Sequence, residues 1–342
     1  MLFYLQIFII TLLSSAGLTF FVMKLAEKFK IVDKPDAERK IHDREVPLLG
    51  GLAIFAAFFV VLYFVHDKIL TGNLEPRHWL GFFIGACFLM IGGFLDDKYN
   101  LKPSRQIIWP ILAIASIIIG GVEIEKITNP FGGYFYLGTL SAVLIAGWLL
   151  GMMYTTKLLD GLDGLVTGMT AIGSFVIFIF TMSEKYYQPD IGLAALILAA
   201  ASLGFLIFNW HPAKIFLGEG GSLFLGFSLG VLAIISGGKI AIALLVMGLP
   251  ILDVAWTILR RLAVRQNPFK FADRKHLHFR LLNMGLSVRK SVLLFYTISI
   301  IFGLAALFLQ SIGKVLALVV LLVIMILAVI FFSYLDKKSK VA

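Results

Sequence analysis

Five polar clusters carry almost every side chain in this chain that could do chemistry. Asp96 and Asp97 are adjacent at the end of an apolar run. Neighbouring carboxylates repel each other, and apolar surroundings make ionising both costlier. A hard divalent cation relieves both penalties, and Mg²⁺ favours carboxylate oxygens together with substrate phosphates. A solvated helix end beside Lys98 is the plainer reading of the same pair. Asp160-Gly161-Leu162-Asp163-Gly164 sets two more carboxylates three residues apart, which would share one face if a helix continued through them. Gly161, Gly164 and Gly168 leave room for another backbone or a ligand. Carboxylates at membrane depth are expensive and point to function, although a helix break with a polar turn accounts for the same residues.

His211-Pro212-Ala213-Lys214 runs on to Gly218-Glu219-Gly220-Gly221-Ser222, which reads as a glycine-rich turn with Ser222 capping the helix after it. Open amides there suit an anion, and Glu219 would add a third carboxylate to a metal site; a tight connection between two helices also fits. His276 and His278, within Asp273-Arg274-Lys275-His276-Leu277-His278, share a side in extended chain and diverge on a helix. Surrounded by Arg274, Lys275 and Arg280 they suit an anion better than zinc, which would need further His or Cys ligands. The remaining cluster runs from Asp33-Lys34-Pro35 through Pro47 to Gly50-Gly51. Carboxylates for Mg²⁺ and cations for phosphate are together the equipment of phosphoryl transfer, where positioning and charge neutralisation do most of the work.

The elements that must position these clusters are membrane helices. The chain has 342 residues, of which 60% are hydrophobic and only 15% charged. A crossing helix needs about 20 mostly apolar residues to span about 30 Å of hydrocarbon. Backbone there must satisfy its own hydrogen bonds, and unbroken rather than alternating apolar runs select helices over a barrel. We expect spans near 3–24, 48–66, 78–95, 106–122, 137–156, 165–182, 190–208, 223–236, 240–259, 290–310 and 315–334. The eighth is short and is either tilted or joined to its neighbour across Gly237-Gly238. The expected fold is therefore an all-α transmembrane bundle of about 11 spans (10–11) forming one domain over residues 1–342. Its polar loops lie near 25–47, 96–105, 157–164, 209–222 and 260–289.

Of the 30 Lys and Arg, all but Lys68, Arg77, Lys126, Lys185, Lys239 and Lys314 fall on one side of this arrangement. The positive-inside rule makes that side cytoplasmic, with the N-terminus out and the C-terminus in. The net charge of +10 is thus spent on orientation and not on nucleic acid. Lys24, Lys28 and Lys30 follow the first apolar run instead of preceding it, as in a true span and unlike a cleaved signal peptide. The single cysteine, Cys87, lies inside an apolar run and rules out an intrachain disulfide.

At these residues the sequence resembles the polyprenyl-phosphate N-acetylhexosamine-1-phosphate transferase family, also called glycosyltransferase family 4. The likeness runs nearly end to end. It rests on Arg39-Lys40-Ile41-His42 with Pro47 and Gly50-Gly51, on Gly93-Phe94-Leu95-Asp96-Asp97, and on Leu159-Asp160-Gly161-Leu162-Asp163-Gly164-Leu165. Asn209-Trp210-His211-Pro212-Ala213-Lys214-Ile215-Phe216 and the His276-Leu277-His278 segment complete it. The resemblance implies a Mg²⁺-dependent enzyme, with Mn²⁺ as an alternative ion, in the inner (plasma) membrane with its site facing the cytoplasm. A UDP-N-acetylhexosamine would donate its sugar-1-phosphate to undecaprenyl phosphate, releasing UMP, as the first membrane step of cell-wall or surface-polysaccharide synthesis.

Carried over residue by residue, Asp96, Asp97, Asp160, His276 and His278 would be catalytic, and Asp160 and Glu219 would hold the metal. Asp163, Lys157, Lys214, Lys102, Arg105 and Arg274 would bind substrate. The pattern departs at three places. The family often has two asparagines where Tyr154 and Lys157 stand, and an aspartate where Glu219 stands. Lys157 would exchange an amide contact for a direct phosphate contact, and the longer Glu219 would rearrange the metal shell. The Arg280-Leu281-Leu282 segment after the histidines favours UDP-N-acetylglucosamine over a muramoyl-pentapeptide donor. A transporter or flippase would place its ionisable groups near the bilayer midplane, whereas these cluster at one face. A catalytically dead homologue and a homodimer both stay open.

Overall fold

The computed structural model describes residues 1–35, 44–70, 74–129, 132–237, 240–263, 265 and 276–338. Helix α1 (Leu2–Lys28) leads to β1 (Val32–Asp33), which pairs antiparallel with β2 (Val46–Pro47). Then come α2 (Gly50–Phe64), α3 (His66–Ile69), α4 (Pro76–Tyr99), α5 (Pro103–Gln106) and α6 (Ile108–Ile119). A second ribbon of β3 (Lys126–Thr128) and β4 (Tyr134–Tyr136) precedes α7 (Leu140–Leu159), α8 (Leu165–Thr181), α9 (Pro189–Asn209) and α10 (Gly218–Ile235). The chain continues through α11 (Ile240–Val246), α12 (Gly248–Ala263), α13 (Leu277–Asn283), α14 (Val288–Phe308) and α15 (Ser311–Lys338).

Seven helices, α1, α4, α7, α9, α10, α14 and α15, are long and apolar enough to cross a membrane. The pair α11 and α12 passes the same test together but bends by 80° at its junction. Gly50–Phe64, Pro103–Ile119 and Leu165–Thr181 are shorter apolar stretches of helix. The architecture is an all-α polytopic membrane bundle, and every expected span overlaps one of these segments.

Two expectations need correction. The eighth span starts at Gly218 and not Leu223, so the glycines read as a turn are the first turns of α10. Ser222 is inside that helix and does not cap it; its hydroxyl donates to the Glu219 carbonyl at 3.0 Å. Nor is this helix joined to its neighbour: it stops at Ile235, and Gly237 turns the chain with φ 82°. The ninth span is broken. Pro250 lacks an amide hydrogen and crowds the carbonyl four residues back, at Val246, where α11 ends.

Helices α9 and α10 form the buried centre, and small residues explain how close their neighbours come. A Cβ on Gly51 would collide with the Gly221 backbone, and one on Gly93 with the Gly220 backbone. Thus α2 and α4 touch α10 main chain to main chain. On the far flank, Gly226 of α10 lies against Met152 and Thr156 of α7. Without a hydrophobic drive between helices in lipid, such small-residue contacts and interhelical hydrogen bonds are what holds a bundle together. Helix α1 follows the same rule: Thr11, Ser15 and Thr19 are buried, and Ser15 donates to the Ala201 carbonyl of α9 at 2.6 Å. Its other sides expose Leu5, Ile9, Leu13 and Phe20, and α15 exposes Leu316, Val320, Leu327 and Ile330. Those belts suit hydrocarbon and would be a liability in water.

Candidate active site

At one end of the bundle, the C-terminal ends of α4, α7 and α9 meet the N-terminal ends of α2, α10 and α14 around a cleft of about 1080 Å³. Asp33, Asp96, Asp97, Asp160, Asp163 and Glu219 all line it, facing Arg44 and His211. Residues from four of the five clusters therefore converge here; of the fifth, His278 packs behind Gly161 of the lining, and only its neighbour Phe279 reaches the wall.

Each carboxylate is held differently. Asp96 accepts the Leu101 amide at 2.7 Å and the Gln106 side-chain amide at 3.0 Å. Asp97 accepts the Glu219 amide at 3.0 Å, so it occupies the N-terminus of α10, where unpaired amides and the helix dipole favour an anion. The anion expected at that glycine-rich segment is thus supplied by the protein itself. Gly218, with φ 74°, permits this approach, because a Cβ there would strike the Asp97 carboxylate.

Asp160 and Asp163 do not share a helix face, since α7 ends at Leu159 and α8 starts only at Leu165. They occupy a turn. Asp163 accepts from the His211 ring at 2.7 Å and from the Ala213 amide at 3.0 Å. Asn209 ties the same turn down, accepting from the Gly164 amide and the Thr167 hydroxyl at 3.1 Å each and donating to the Ile215 carbonyl. Tyr296 of α14 reaches the Gly164 carbonyl and packs on Gly168, where any side chain would collide with it. Asp160 is left open to the cleft, with no hydrogen bond to its carboxylate among the described residues. Protein packed around its other sides, then the nearby Glu219, Asp163 and Asp97, push its pKa up to about 8.

Glu219 is not a free third carboxylate: Lys157 pairs with it and also donates to Gln106 at 3.1 Å. Lys157 is turned to these two partners and is not among the residues that line the cleft. His276 and His278 do share a side, with rings stacked 5.6 Å apart, although His278 is on α13 and only His276 is extended. The anionic group His276 meets belongs to the protein: its Nδ1 lies 2.8 Å from the Asp253 carboxylate, which also accepts the Leu277 amide at 3.0 Å. His278 is fully buried against Gly161, with neither ring nitrogen hydrogen-bonded among the described residues. Burial, with His276 alongside, pulls its pKa down to about 3, so the ring is neutral. Lys102, Arg105 and Lys214 are exposed and do not line the cleft. Arg274 and the Arg39–His42 motif lie outside the described residues.

Three polar residues that motif reading passed over belong to this end of the molecule: Gln106, Asp253 and Arg289. Arg289 donates to the His211 carbonyl at 2.8 and 3.0 Å. Asp253 had a signal, as a carboxylate within an apolar segment is functional by default; Gln106 and Arg289 had none.

A family model described as glycosyl transferase family 4 matches residues 79–237. Along most of its length the chain is 34% identical to a probable undecaprenyl-phosphate N-acetylglucosaminyl 1-phosphate transferase of Bacillus subtilis, over 326 residues covering 93% of this chain and 88% of that protein. The chain belongs to glycosyl transferase family 4. Within this family it is also 30% identical, over 85% of its length and 86% of the relative's, to an undecaprenyl-phosphate alpha-N-acetylglucosaminyl 1-phosphate transferase of Thermotoga maritima. A phospho-N-acetylmuramoyl-pentapeptide-transferase of Halalkalibacterium halodurans is 29% identical over 79% of this chain and 86% of that one. The glycosyl transferase family 4 match spans α4 to α10, the helices that contribute Asp96, Asp97, Asp160, Asp163 and Glu219.

Proposed function

We propose that the protein transfers N-acetylglucosamine-1-phosphate from a UDP-sugar to undecaprenyl phosphate and releases UMP. The observation that carries this reading is the acid-lined cleft at one end of a membrane bundle, in a chain whose relatives are named for that transfer. An oxygen of the lipid phosphate attacks the sugar-bearing phosphorus, and the bond to the bridging oxygen breaks, so that oxygen leaves with UMP. A phosphate monoester with a second pKa near 6 is mostly dianionic at pH 7, so the attack needs no strong base.

Both substrates are anions, and the acids lining the cleft outnumber Arg44 and His211. The site therefore calls for a divalent cation. Among the described residues no three acidic or histidine side chains converge enough to hold one alone. Mg²⁺ requires no such cage, since it keeps waters and takes one or two carboxylates plus phosphate oxygens. Asp160, open and crowded by other acids, fits that role, with Asp97 beside it. When bound, the ion neutralises charge on the diphosphate and the departing UMP. Asp163 acts by fixing the turn that presents Asp160, and His278 by packing on Gly161 in the same turn. The lipid reaches the cleft laterally from the bilayer that the apolar helices cross, with the cleft on the cytoplasmic face of the inner membrane.

The test is direct. Purified protein with Mg²⁺, undecaprenyl phosphate and UDP-N-acetylglucosamine should release UMP and form a lipid diphosphate sugar. Absence of UMP with this donor, with other UDP-N-acetylhexosamines and with the muramoyl-pentapeptide donor would reject the transferase reading.

A further inference from the structure

Lys157 is the least expected side chain at this end of the molecule, because an ammonium so near the cleft takes no part in lining it. It sits in the last turn of α7 and Glu219 in the first turn of α10, with side-chain exposures of 21% and 17%. The ammonium pairs with Glu219 Oε1 and donates to Gln106 Oε1 at 3.1 Å. Accepting through its oxygen turns the Gln106 amide nitrogen toward Asp96, to which it donates at 3.0 Å. The Tyr154 ring lies 5.7 Å from the same ammonium, at the range of a cation–π contact. Thus one positive charge, packed by an aromatic ring, is tied to two of the cleft's carboxylates, directly to Glu219 and through Gln106 to Asp96.

We infer that Lys157 is a built-in counter-cation that commits Glu219 to itself, so that Glu219 is withheld from the divalent-cation set while Asp160 is left to supply it. The inference rests on the transferase reading for the identity of the cation, but on the ion pair alone for the role of Lys157. Its physical basis is competition. A carboxylate paired with a mostly buried ammonium must give up that partner before it can bind a metal, leaving an uncompensated charge behind. Glu219 reaches Lys157 with its side chain while its backbone amide holds Asp97, so one residue serves both neighbours at once. Lys157 is a positioning residue here: it touches Glu219 and Gln106, not the substrate.

Mn²⁺ binding to the full-length protein in detergent, followed by the loss of the free-ion electron paramagnetic resonance signal, tests this without reference to turnover. Lys157→Met frees Glu219 and should tighten Mn²⁺ binding at least tenfold or add a second ion. Lys157→Met combined with Glu219→Gln should return binding to the wild-type level, and Lys157→Arg should match wild type. Glu219→Gln alone should change the Mn²⁺ dissociation constant less than twofold. A tenfold weakening in Glu219→Gln would make Glu219 a ligand and overturn the inference; so would unchanged Mn²⁺ binding in folded Lys157→Met. Should Lys157→Met fail to fold, the Glu219→Gln titration decides by itself. Failure of the transferase reading looks different, as no UMP from any donor while the differences among these variants persist.

Discussion

Asp160 and Asp163 are separated by two residues and have opposite fates. Asp163 is spent on structure, clamped by the His211 ring and the Ala213 amide. Asp160 keeps a carboxylate open to the cleft, whose pKa is raised to about 8 by the protein packed around its other sides and by neighbouring acids. The sign follows directly: below pH 8 the carboxyl is mostly protonated, and a proton must leave before a cation binds. Mn²⁺ affinity should therefore rise roughly tenfold per pH unit between pH 7 and 8 and level off above; below pH 7 the slope steepens, because burial pushes the neighbouring Asp97 up to about 7 and it too holds a proton there. Isothermal titration at several pH values should show that slope, and Asp160→Asn should abolish it together with most of the affinity. Asp253 has another kind of role. It satisfies both the His276 ring and the Leu277 amide inside the protein. Asp253→Ala leaves both donors unpaired and should cost about 2 kcal/mol, read as a lower melting temperature in detergent. The motifs made the cleft acids legible because they lie in short glycine-flanked strings. Asp253 was harder to see: its partners lie 23 and 24 residues on, and only the fold brings them together.

Main-chain contact between helices is what sets those side chains in place. Gly93 lets α4 lie directly against α10, and Asp97, one turn further along α4, then reaches the Glu219 amide. Gly93→Ala should push the two helices apart at a cost of about 1–3 kcal/mol, and it should weaken the transferase more than the melting temperature alone explains. Gly17→Ala, where a Cβ meets nothing within 4 Å, is the control and should melt like the parent. Equal effects of the two would show that the close crossing does not position Asp97. The sequence indicated helices and their approximate limits well, because an apolar run of membrane length allows little else. It misplaced the start of α10, because glycine's poor helix propensity yields to packing that only glycine allows. The 80° bend between α11 and α12 was readable from Gly248 and Pro250, had the apolar run not masked them.

At the scale of the whole molecule, the two ends of the bundle differ in kind. One gathers the cleft; the other carries the β3–β4 ribbon and a smaller cavity lined by Glu75, Arg77, Glu123 and Lys126. Helix α4 runs between them, from Pro76 at the ribbon end to Asp97 at the cleft, which fixes the two ends as opposite faces if α4 crosses the bilayer. The imbalance of Lys and Arg then predicts which face is which, because loops rich in these residues stay in the cytoplasm. With Cys87 replaced by Ala, single cysteines at Ser104 on α5 and Tyr136 on β4 would report on the two exposed ends. A membrane-impermeant maleimide should label the Tyr136→Cys protein in intact cells, and the Ser104→Cys protein only after the membrane is opened. The reverse pattern would put the cleft outside, away from the nucleotide sugars made in the cytoplasm, and the proposed reaction could not be supplied. Orientation is therefore a condition on the chemistry: the same end must face its nucleotide from water and its lipid phosphate from the bilayer.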